Sequence, residues 1–252
     1  MMEEIKKTHV DYLNIIGGTA ATYRNYTEKR WNKYYLHTYK MIVHNMIKGI
    51  SRESVVDVGT SHGNWYKFLK KERFNLIYGV ELDKGRAELA RKCGYTEVFN
   101  IDAKNIPLPD SSINVAVSND VFIHILQLED KIAVIKEIER ILKPGGIFIF
   151  NHSMSKSVLS EKYIIKNHCS FLSLDELIRL VIQNTYLKVL DIKPTYYHFR
   201  DNSDNFFVKY LRSILIYLPF AVSFYILFDS LINRKISIQE SDYVYIKLQK
   251  IS

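Results

Sequence analysis

The sequence predicts an α/β fold whose centre is a doubly wound, mostly parallel, seven-stranded sheet. From Ser54 onward, short apolar runs alternate with segments of helical spacing. Strands that alternate with helices of this length indicate a parallel sheet covered on both faces. The helical segments end at typical stop signals, Gly94 and Pro144-Gly145-Gly146. The chain has 252 residues, which is enough for one large domain of this kind with an elaborated insert.

The predicted elements can be placed in chain order. Apolar residues at roughly helical spacing over Arg30–Ile50 predict a helix that leads into the first strand. The pattern then predicts five strands, which are Val55–Val58, Leu76–Glu81, Glu97–Ile101, Val115–Ser118 and Ile147–Asn151. The helices between them are Asn64–Lys71, Lys84–Cys93 and Glu129–Leu142. A helix over Leu174–Gln183, a long strand over Tyr186–Tyr197 and a final strand over Ser241–Ile251 complete the set.

These elements divide the chain into three parts. Residues 1–50, rich in Tyr, Lys and Arg, are expected to form an N-terminal helical lid or extension. Residues 51–197 and 241–252 are expected to form the core domain. Residues 198–240, between the last two strands, are expected to form an apolar helical insert.

Composition limits the classes of partner and the cellular compartment. The formal net charge of +8 favours anionic partners such as phosphorylated metabolites, nucleic acid or an anionic membrane surface. No Lys/Arg block is long enough to suggest a nucleic-acid arm.

Cys93 and Cys169 belong to no Cys/His cluster, so neither a disulfide framework nor a metal site is expected. The first residues lack the apolar core of a signal peptide, and a cytoplasmic location is expected.

Residues suited to ligand binding follow four successive predicted strands. In a doubly wound sheet, ligands bind beyond the carboxyl ends of the strands. Gly59 and Gly63 follow the first strand and permit a tight turn close to a ligand. Glu81 ends the second strand, close to the spacing at which an acid reaches the two hydroxyls of a bound ribose. Asp102 ends the third strand and Asn119 the fourth. Each acid alone could be an ordinary solvated strand terminus, but the ordered set indicates a site.

At this point the sequence resembles a known family. Residues 55 to 151 look like the class I S-adenosylmethionine-dependent methyltransferases, in particular the group with the small-molecule and lipid methyltransferase core. The matching pieces are VVDVGTSHG, YGVELD, NIDAKNIPLPDSSINVAVSNDVFIHI and EIERILKPGGIFIFN. The resemblance implies a Rossmann-like methyltransferase fold and S-adenosylmethionine as cofactor. It covers about 100 residues of the core well, and the flanks only in outline.

The resemblance also implies roles for single residues. The turn around the methionine moiety would be formed by Asp57, Gly59, Thr60, Ser61 and Gly63. The rest of the cofactor would be held by Glu81 at the ribose, Leu82 against the adenine, Asp102 and Ala103 at the adenine edge, and Asn119 beside the sulfonium. The chain departs from the family at Ser61, where glycine is usual, and a serine narrows the allowed backbone angles.

A dinucleotide is the competing cofactor. A dehydrogenase would show G-x-G-x-x-G, with a helix N-terminus aimed at a pyrophosphate. The turn from Gly59 to Gly63 lacks that spacing, so methyl transfer is favoured over hydride transfer.

Two histidines are candidate catalytic residues. Methyl transfer from a sulfonium is a direct displacement, in which alignment supplies much of the acceleration. A general base is needed if the acceptor is a hydroxyl whose proton must leave. His124, after the fourth strand, is the first candidate and His152, after the fifth, is the second. The alternative is that His124 only packs or makes a structural hydrogen bond.

The insert contains an unusually apolar stretch. Residues 206–232 carry no charge from Ile214 to Phe228, which approaches the length of a membrane span. Pro219 is expected to break or kink this stretch. If the strands before and after the insert belong to one sheet, the insert must also begin and end on the same side of a membrane, which a single crossing does not allow. A cap over the active site is favoured, and an element in the membrane interface is the alternative. Simple completion of the core is the third interpretation.

The sequence therefore predicts a methyltransferase that acts on a small or lipid-linked acceptor. Peripheral membrane contact through residues 206–232 is an open alternative for the partner and the location. An RNA methyltransferase is a second hypothesis, prompted by the positive charge, although no RNA-binding module is evident and nucleic acid is not the favoured partner. A non-catalytic binding or assembly subunit with the same fold is the third.

Overall fold

The computed structural model describes residues 30–153, 170, 172–195, 218, 220–232, 238, 241 and 243–251. The helices in these ranges are α1 (Arg30–Met46), α2 (Tyr66–Lys71), α3 (Lys84–Arg91), α4 (Leu128–Ile141), α5 (Leu174–Asn184) and α6 (Ala221–Ile232). The strands are β1 (Ser54–Val58), β2 (Leu76–Val80), β3 (Glu97–Phe99), β4 (Ile113–Ser118), β5 (Leu142–Ser153), β6 (Leu187–Thr195) and β7 (Tyr243–Lys250). A 3-10 helix over Phe122–His124 follows β4.

The seven strands form one sheet in the order β3-β2-β1-β4-β5-β7-β6. Strands β1 to β5 pair in parallel, whereas β7 runs antiparallel to both β5 and β6. The predicted doubly wound, mostly parallel, seven-stranded sheet is therefore confirmed. The chain moves outward from β1 to β3 and then crosses back to β4 on the other side of β1. This reversal places the carboxyl ends of β1 and β4 beside a crevice in which ligands bind in such sheets.

The largest difference from the predicted boundaries lies at β5. The sequence predicts a strand from Ile147, after a helix stop at Pro144, but pairing already begins with Leu142 opposite Ile113. The register shifts between that pair and the next, Val115 with Ile147. The residues between them form an irregular extension of the strand, because the last turn of α4 leads directly into the sheet.

Alternating residues of the strands supply two core layers, one on each face of the sheet. On one face, residues such as Val55 and Ile149 pack against α1, α2, α3 and α6. On the other face, residues such as Val56 and Phe150 pack against α4 and α5. Burial of both faces explains why β1 and β4 carry consecutive apolar residues, Val55-Val56 and Val115-Ala116-Val117, instead of a strict alternation of apolar and polar residues.

Helices α1 and α6 lie together on the first of these faces. The rings of Tyr34 and Tyr225 meet edge to face, with centroids 5.9 Å apart, and Ala221 joins the same core cluster. One face of α6 therefore completes the core, as one of the three interpretations of the insert requires. In the described part of the chain, no helix combines the length and the apolar character that crossing a bilayer requires. The division of the chain into lid, core and insert stays a prediction.

Candidate functional site

The turn after β1 is built around a glycine. The backbone N–H groups of Gly59 and Thr60 both donate to Val80 O, at 2.8 and 3.1 Å, which holds the turn against the end of β2. Gly59 has a φ of +80°, and a Cβ at this position would clash with Val121 Cγ2. A side chain is therefore excluded both by backbone strain and by the segment that follows β4. Gly63, the second glycine of the motif, also has a positive φ.

Ser61 adopts a left-handed backbone conformation, which glycine adopts more readily than other residues. Its φ is +50°, which is the left-handed region and costs a residue with a side chain roughly 1 kcal/mol or more. Its N–H donates to Glu81 Oε2 at 2.8 Å, and its Oγ lies 3.0 Å from His62 Nδ1. Thr60, on its other side, is buried. The turn therefore keeps its shape with serine, and one hydrogen bond to the carboxylate at the end of β2 helps to hold it.

Glu81 joins the loops that follow β1 and β2. One carboxylate oxygen accepts from Ser61, as described, and Oε1 accepts from the Asp83 N–H at 3.0 Å. The side chain is largely buried, and this burial raises the pKa of Glu81, although the two backbone donors oppose the shift. A carboxylate has about four acceptor positions, so two remain for a ligand.

Asp57, the one acid of β1, lies two residues before Gly59. It is 1% exposed, and Tyr95 donates its hydroxyl to Asp57 Oδ2 at 2.6 Å. Burial raises the pKa of Asp57 to about 7; the Tyr95 hydrogen bond and the nearby Lys40 lower it, and the Glu81 charge raises it. Lys40 comes from α1 and donates to Asn64 O at 3.3 Å. Its own pKa is lowered, mainly by burial.

The ends of β2 and β3 carry the residues predicted at the adenine. Leu82 is half exposed, and Asn100 Nδ2 donates to its carbonyl at 2.8 Å. Asp102 lies at the surface, where Lys104 Nζ approaches Oδ2 at 3.3 Å. Ala103 packs at the margin of the second core layer. The positions suit the predicted roles, which stay predictions.

A hydrogen-bonded network fixes the end of β4. Asn119 Oδ1 accepts from the Tyr245 hydroxyl at 3.0 Å, and Asn119 Nδ2 donates to Asp120 Oδ2 at 2.9 Å. Asn151, on β5, donates from Nδ2 to Asp120 Oδ1 and accepts from the Asp120 N–H, both at 2.6 Å. The Asn119 amide is thereby held in one orientation beside the crevice. At the same strand end, the buried Ser118 Oγ has no hydrogen-bond partner among the described residues.

The two candidate bases differ in their surroundings. His124 is half-buried in the 3-10 helix after β4. His152 is 1% exposed, and its Nε2 lies 3.0 Å from Leu172 O. Burial lowers the pKa of His152 to about 4, so the ring is neutral at pH 7 and a weak base. Lys131, also buried, donates to Phe122 O and opposes protonation of His152.

Sequence reasoning missed four residues that shape this edge of the sheet. They are Lys40, Tyr95, Asn151 and Tyr245. Three of them act on a predicted residue from a distant part of the sequence: Lys40 and Tyr95 on Asp57, and Tyr245 on Asn119. Asn151 acts on Asp120, the neighbour of the predicted Asn119. Only the alternation of the last strand offered a signal, since it places Tyr245 on an inward face. In the described ranges, no group of three His, Cys, Asp or Glu side chains could hold a metal ion.

Comparison with known proteins identifies similar domains and similar folds. A family model described as a methyltransferase domain matches residues 56–150. Dimethylglycine N-methyltransferase of Parasynechococcus marenigrum is 24% identical over 108 residues, which are 40% of this chain and 38% of the relative. Probable tRNA methyltransferase 9B of Mus musculus is 28% identical over 144 residues, which are 57% of this chain and 29% of the relative. The chain therefore spans less than half the length of either relative.

The fold has a solved counterpart over nearly the whole chain. An S-adenosylmethionine-dependent methyltransferase of Thermotoga maritima, described as a possible histamine N-methyltransferase, is similar with a TM-score of 0.58 and 20% identity. The match covers 94% of this chain and 98% of that one. The family model matches the part of the chain that runs from β1 to β5, and the whole fold is similar to that of a solved S-adenosylmethionine-dependent methyltransferase.

Proposed function

We propose that the chain binds S-adenosylmethionine at the carboxyl edge of β1, β2 and β4 and transfers its methyl group to a small or lipid-linked acceptor by direct displacement. The observation that carries the proposal is the Glu81 carboxylate. It is held by two backbone N–H groups at the end of β2 and keeps two acceptor positions for vicinal hydroxyls.

The chemistry of the surrounding residues fits this cofactor. S-adenosylmethionine supplies an electrophilic methyl group on a positively charged sulfur. Asp57 and Glu81 provide negative charge below the turn, and an ionised Asp57 would favour a cationic ligand. The buried Ser118 Oγ, without a partner in the structure, is available to a ligand in the crevice. The amide of Asn119, held by Tyr245, lies at the same strand end. Glu81, Ser118 and Asn119 would therefore orient the cofactor by side-chain hydrogen bonds, and the site needs no loop that binds phosphate groups.

The acceptor would enter beside the 3-10 helix. A hydroxyl acceptor must lose its proton, and His124 is the better placed base because it is half-buried rather than enclosed. A pKa of about 4 and the contact with Leu172 support a structural role for His152. The apolar character of α6 and of residues 206–232 supports an apolar or lipid-linked acceptor.

Calorimetry with S-adenosylmethionine tests the cofactor site. The change is Glu81→Ala, with Glu97→Ala as the matched control because Glu97 is an exposed acid at the opposite end of its strand. Loss of two hydrogen bonds to a charged acceptor should weaken binding about 100-fold, while the control retains wild-type affinity. Circular dichroism confirms that each variant is folded. Absence of binding by the wild-type chain, or equal affinities for wild type and Glu81→Ala, would refute the proposal.

RNA is the second candidate acceptor. The similarity to probable tRNA methyltransferase 9B and the net charge of +8 favour it. An RNA complex should weaken steeply with salt, because phosphate contacts release counterions. Parallel methyl-transfer assays on lipid extracts and on tRNA separate the two candidates. Incorporation into tRNA alone would reject the lipid-linked acceptor.

A further inference from the structure

Asp120, which directly follows Asn119 in the sequence, carries its carboxyl group in an open recess beyond the end of β4. The residue is exposed, yet desolvation by the surrounding protein raises the pKa of its carboxyl group. A carboxyl group that is open to solvent and still poorly hydrated lies in a concave part of the surface, where small ligands bind. This recess adjoins the crevice at the carboxyl end of β4.

Two amide side chains hold this carboxyl group in place. Asn119 Nδ2 donates to Asp120 Oδ2 at 2.9 Å, and Asn151 Nδ2 donates to Asp120 Oδ1 at 2.6 Å. The backbone of Asp120 is left-handed, with a φ of +57°, and its N–H donates to Asn151 Oδ1 at 2.6 Å. A residue with a side chain keeps such a conformation where its contacts fix it, and residues of this kind cluster at functional sites.

No cation of the described residues balances the charge of this carboxylate. None of their ion pairs includes Asp120, and the two amides that hold it are neutral. Each carboxylate oxygen has about two acceptor positions, so about one position on each oxygen remains for a ligand. A cation with N–H groups would supply both the missing charge and the missing donors.

Other cations fit this recess less well. Asp120 belongs to no group of three His, Cys, Asp or Glu side chains within the described ranges that could hold a metal ion. The sulfonium of the cofactor has no N–H group, so it would leave both acceptor positions empty. We propose that Asp120 binds the ammonium group of an amine acceptor and takes its proton, so that the acceptor of the methyl group is an amine. This assignment rests on the function proposed above.

Deprotonation by Asp120 prepares the nitrogen for direct displacement. An ammonium nitrogen has no free electron pair, so one of its protons must pass to a carboxylate oxygen of Asp120 before the attack. The nitrogen electron pair then forms the bond to the methyl carbon, and the electron pair of the broken carbon–sulfur bond stays on sulfur. The product is a methylated ammonium, and the proton on Asp120 passes to water when the product leaves. The raised pKa of Asp120 makes it a stronger base than an ordinary carboxylate.

Calorimetry with matched amines and alcohols tests the recognition of charge. Wild type and Asp120→Asn, both saturated with S-adenosylhomocysteine, are titrated with phenethylamine and 2-phenylethanol, and with octylamine and 1-octanol. We expect wild type to bind each amine more tightly than its alcohol. Asp120→Asn should weaken amine binding by about 10- to 100-fold, as the loss of a hydrogen bond to a charged group predicts. The ratio of amine to alcohol affinity is the informative quantity, because a disturbed fold weakens both ligands alike.

Two further variants separate the charge of Asp120 from its structural contacts. Asp120→Gly removes the carboxylate in a residue that suits the positive φ, and it brings no new amide against those of Asn119 and Asn151. It should lose amine binding as Asp120→Asn does. Asp175→Asn is the matched control, because Asp175 is an exposed acid in the first turn of α5 and the change in net charge is the same. This control should keep the wild-type ratio of affinities, and circular dichroism shows whether each variant is folded.

Cofactor titrations distinguish failure of this assignment from failure of the proposed function. A wild type that binds neither S-adenosylmethionine nor S-adenosylhomocysteine refutes the cofactor site itself. In Asp120→Asn, the ratio of these two affinities should match that of wild type. A selective loss of S-adenosylmethionine affinity would assign Asp120 to the sulfonium and overturn the proposal.

Methyl incorporation into the same four compounds checks the reaction. Label should enter the amines and not the alcohols, and Asp120→Gly should lower the rate at least about 100-fold, as expected for loss of a general base. An equal amine-to-alcohol affinity ratio in wild type and Asp120→Asn overturns the proposal, as does absence of amine binding by a wild type that binds the cofactor. Incorporation into the alcohols alone would assign the acceptor to hydroxyl compounds and also overturn it.

Discussion

Replacing Tyr95 with phenylalanine removes the hydroxyl that hydrogen-bonds to the buried carboxyl group of Asp57. That hydroxyl donates to Asp57 Oδ2 at 2.6 Å, and both side chains are buried. Phenylalanine fills nearly the same volume, so the substitution removes the hydrogen bond without opening a large cavity. The cost should therefore depend on the protonation state of Asp57.

The sign of the pH dependence follows from the pKa of Asp57. Burial raises it from 3.8 to about 7 in the folded protein, so between about pH 4 and pH 7 the folded state binds more protons than the unfolded chain. The stability contributed by the protonated acid is complete below pH 4 and is lost as the pH rises through 7. A difference of about 3 pKa units corresponds to about 4 kcal/mol over that window.

The Tyr95 hydroxyl opposes this loss because it stabilises the ionised carboxylate. A hydrogen bond to a charged group contributes about 1.5–3 kcal/mol, and one to a neutral group about 1 kcal/mol. We expect Tyr95→Phe to lower the free energy of unfolding by about 1 kcal/mol at pH 5 and by about 2–3 kcal/mol at pH 9. The pKa of Asp57 should rise further in the variant, since a factor that lowers it is removed.

Urea denaturation at pH 5 and pH 9, for wild type and variant, measures these differences. Tyr78→Phe is the control, because it also removes a tyrosine hydroxyl, from a ring that stacks on Phe99 and not from the partner of Asp57. Its effect should be equal at the two pH values. An equal loss at pH 5 and pH 9 for Tyr95→Phe would refute the reasoning, since it would mean that the hydroxyl does not sense ionisation of Asp57.

Two further predictions concern the backbone of the turn after β1. Ser61→Gly should raise the free energy of unfolding by up to about 1 kcal/mol, because glycine adopts the observed φ of +50° without steric cost. Ser61→Ala, which keeps that cost, should give no gain in urea denaturation, and equal gains would contradict the assignment. Gly59→Ala should destabilise the protein by about 2 kcal/mol or more, because the new Cβ meets Val121 Cγ2. Val121→Ala in the same chain should recover part of that loss in thermal melting; no recovery would exclude the contact as the cause.

The sequence predicted the ends of the strands better than the contacts between them. Apolar runs and their stop signals are local patterns, so the sheet and the line of Glu81, Asp102 and Asn119 along its edge could be placed in advance. Whether Ser61 tolerates a left-handed backbone depends on the carboxylate of Glu81, twenty residues away. The burial of His152 depends on its contact with Leu172, twenty residues later in the chain. No local sequence pattern predicts that contact.

Helix α1 connects α6 to the turn that leads from β1 into α2. Tyr34 packs on Tyr225 of α6, and six residues later Lys40 donates to Asn64 O in the turn that leads into α2. Six residues of α-helix span about 9 Å, so one rigid helix makes both the contact with α6 and the contact with the turn after β1.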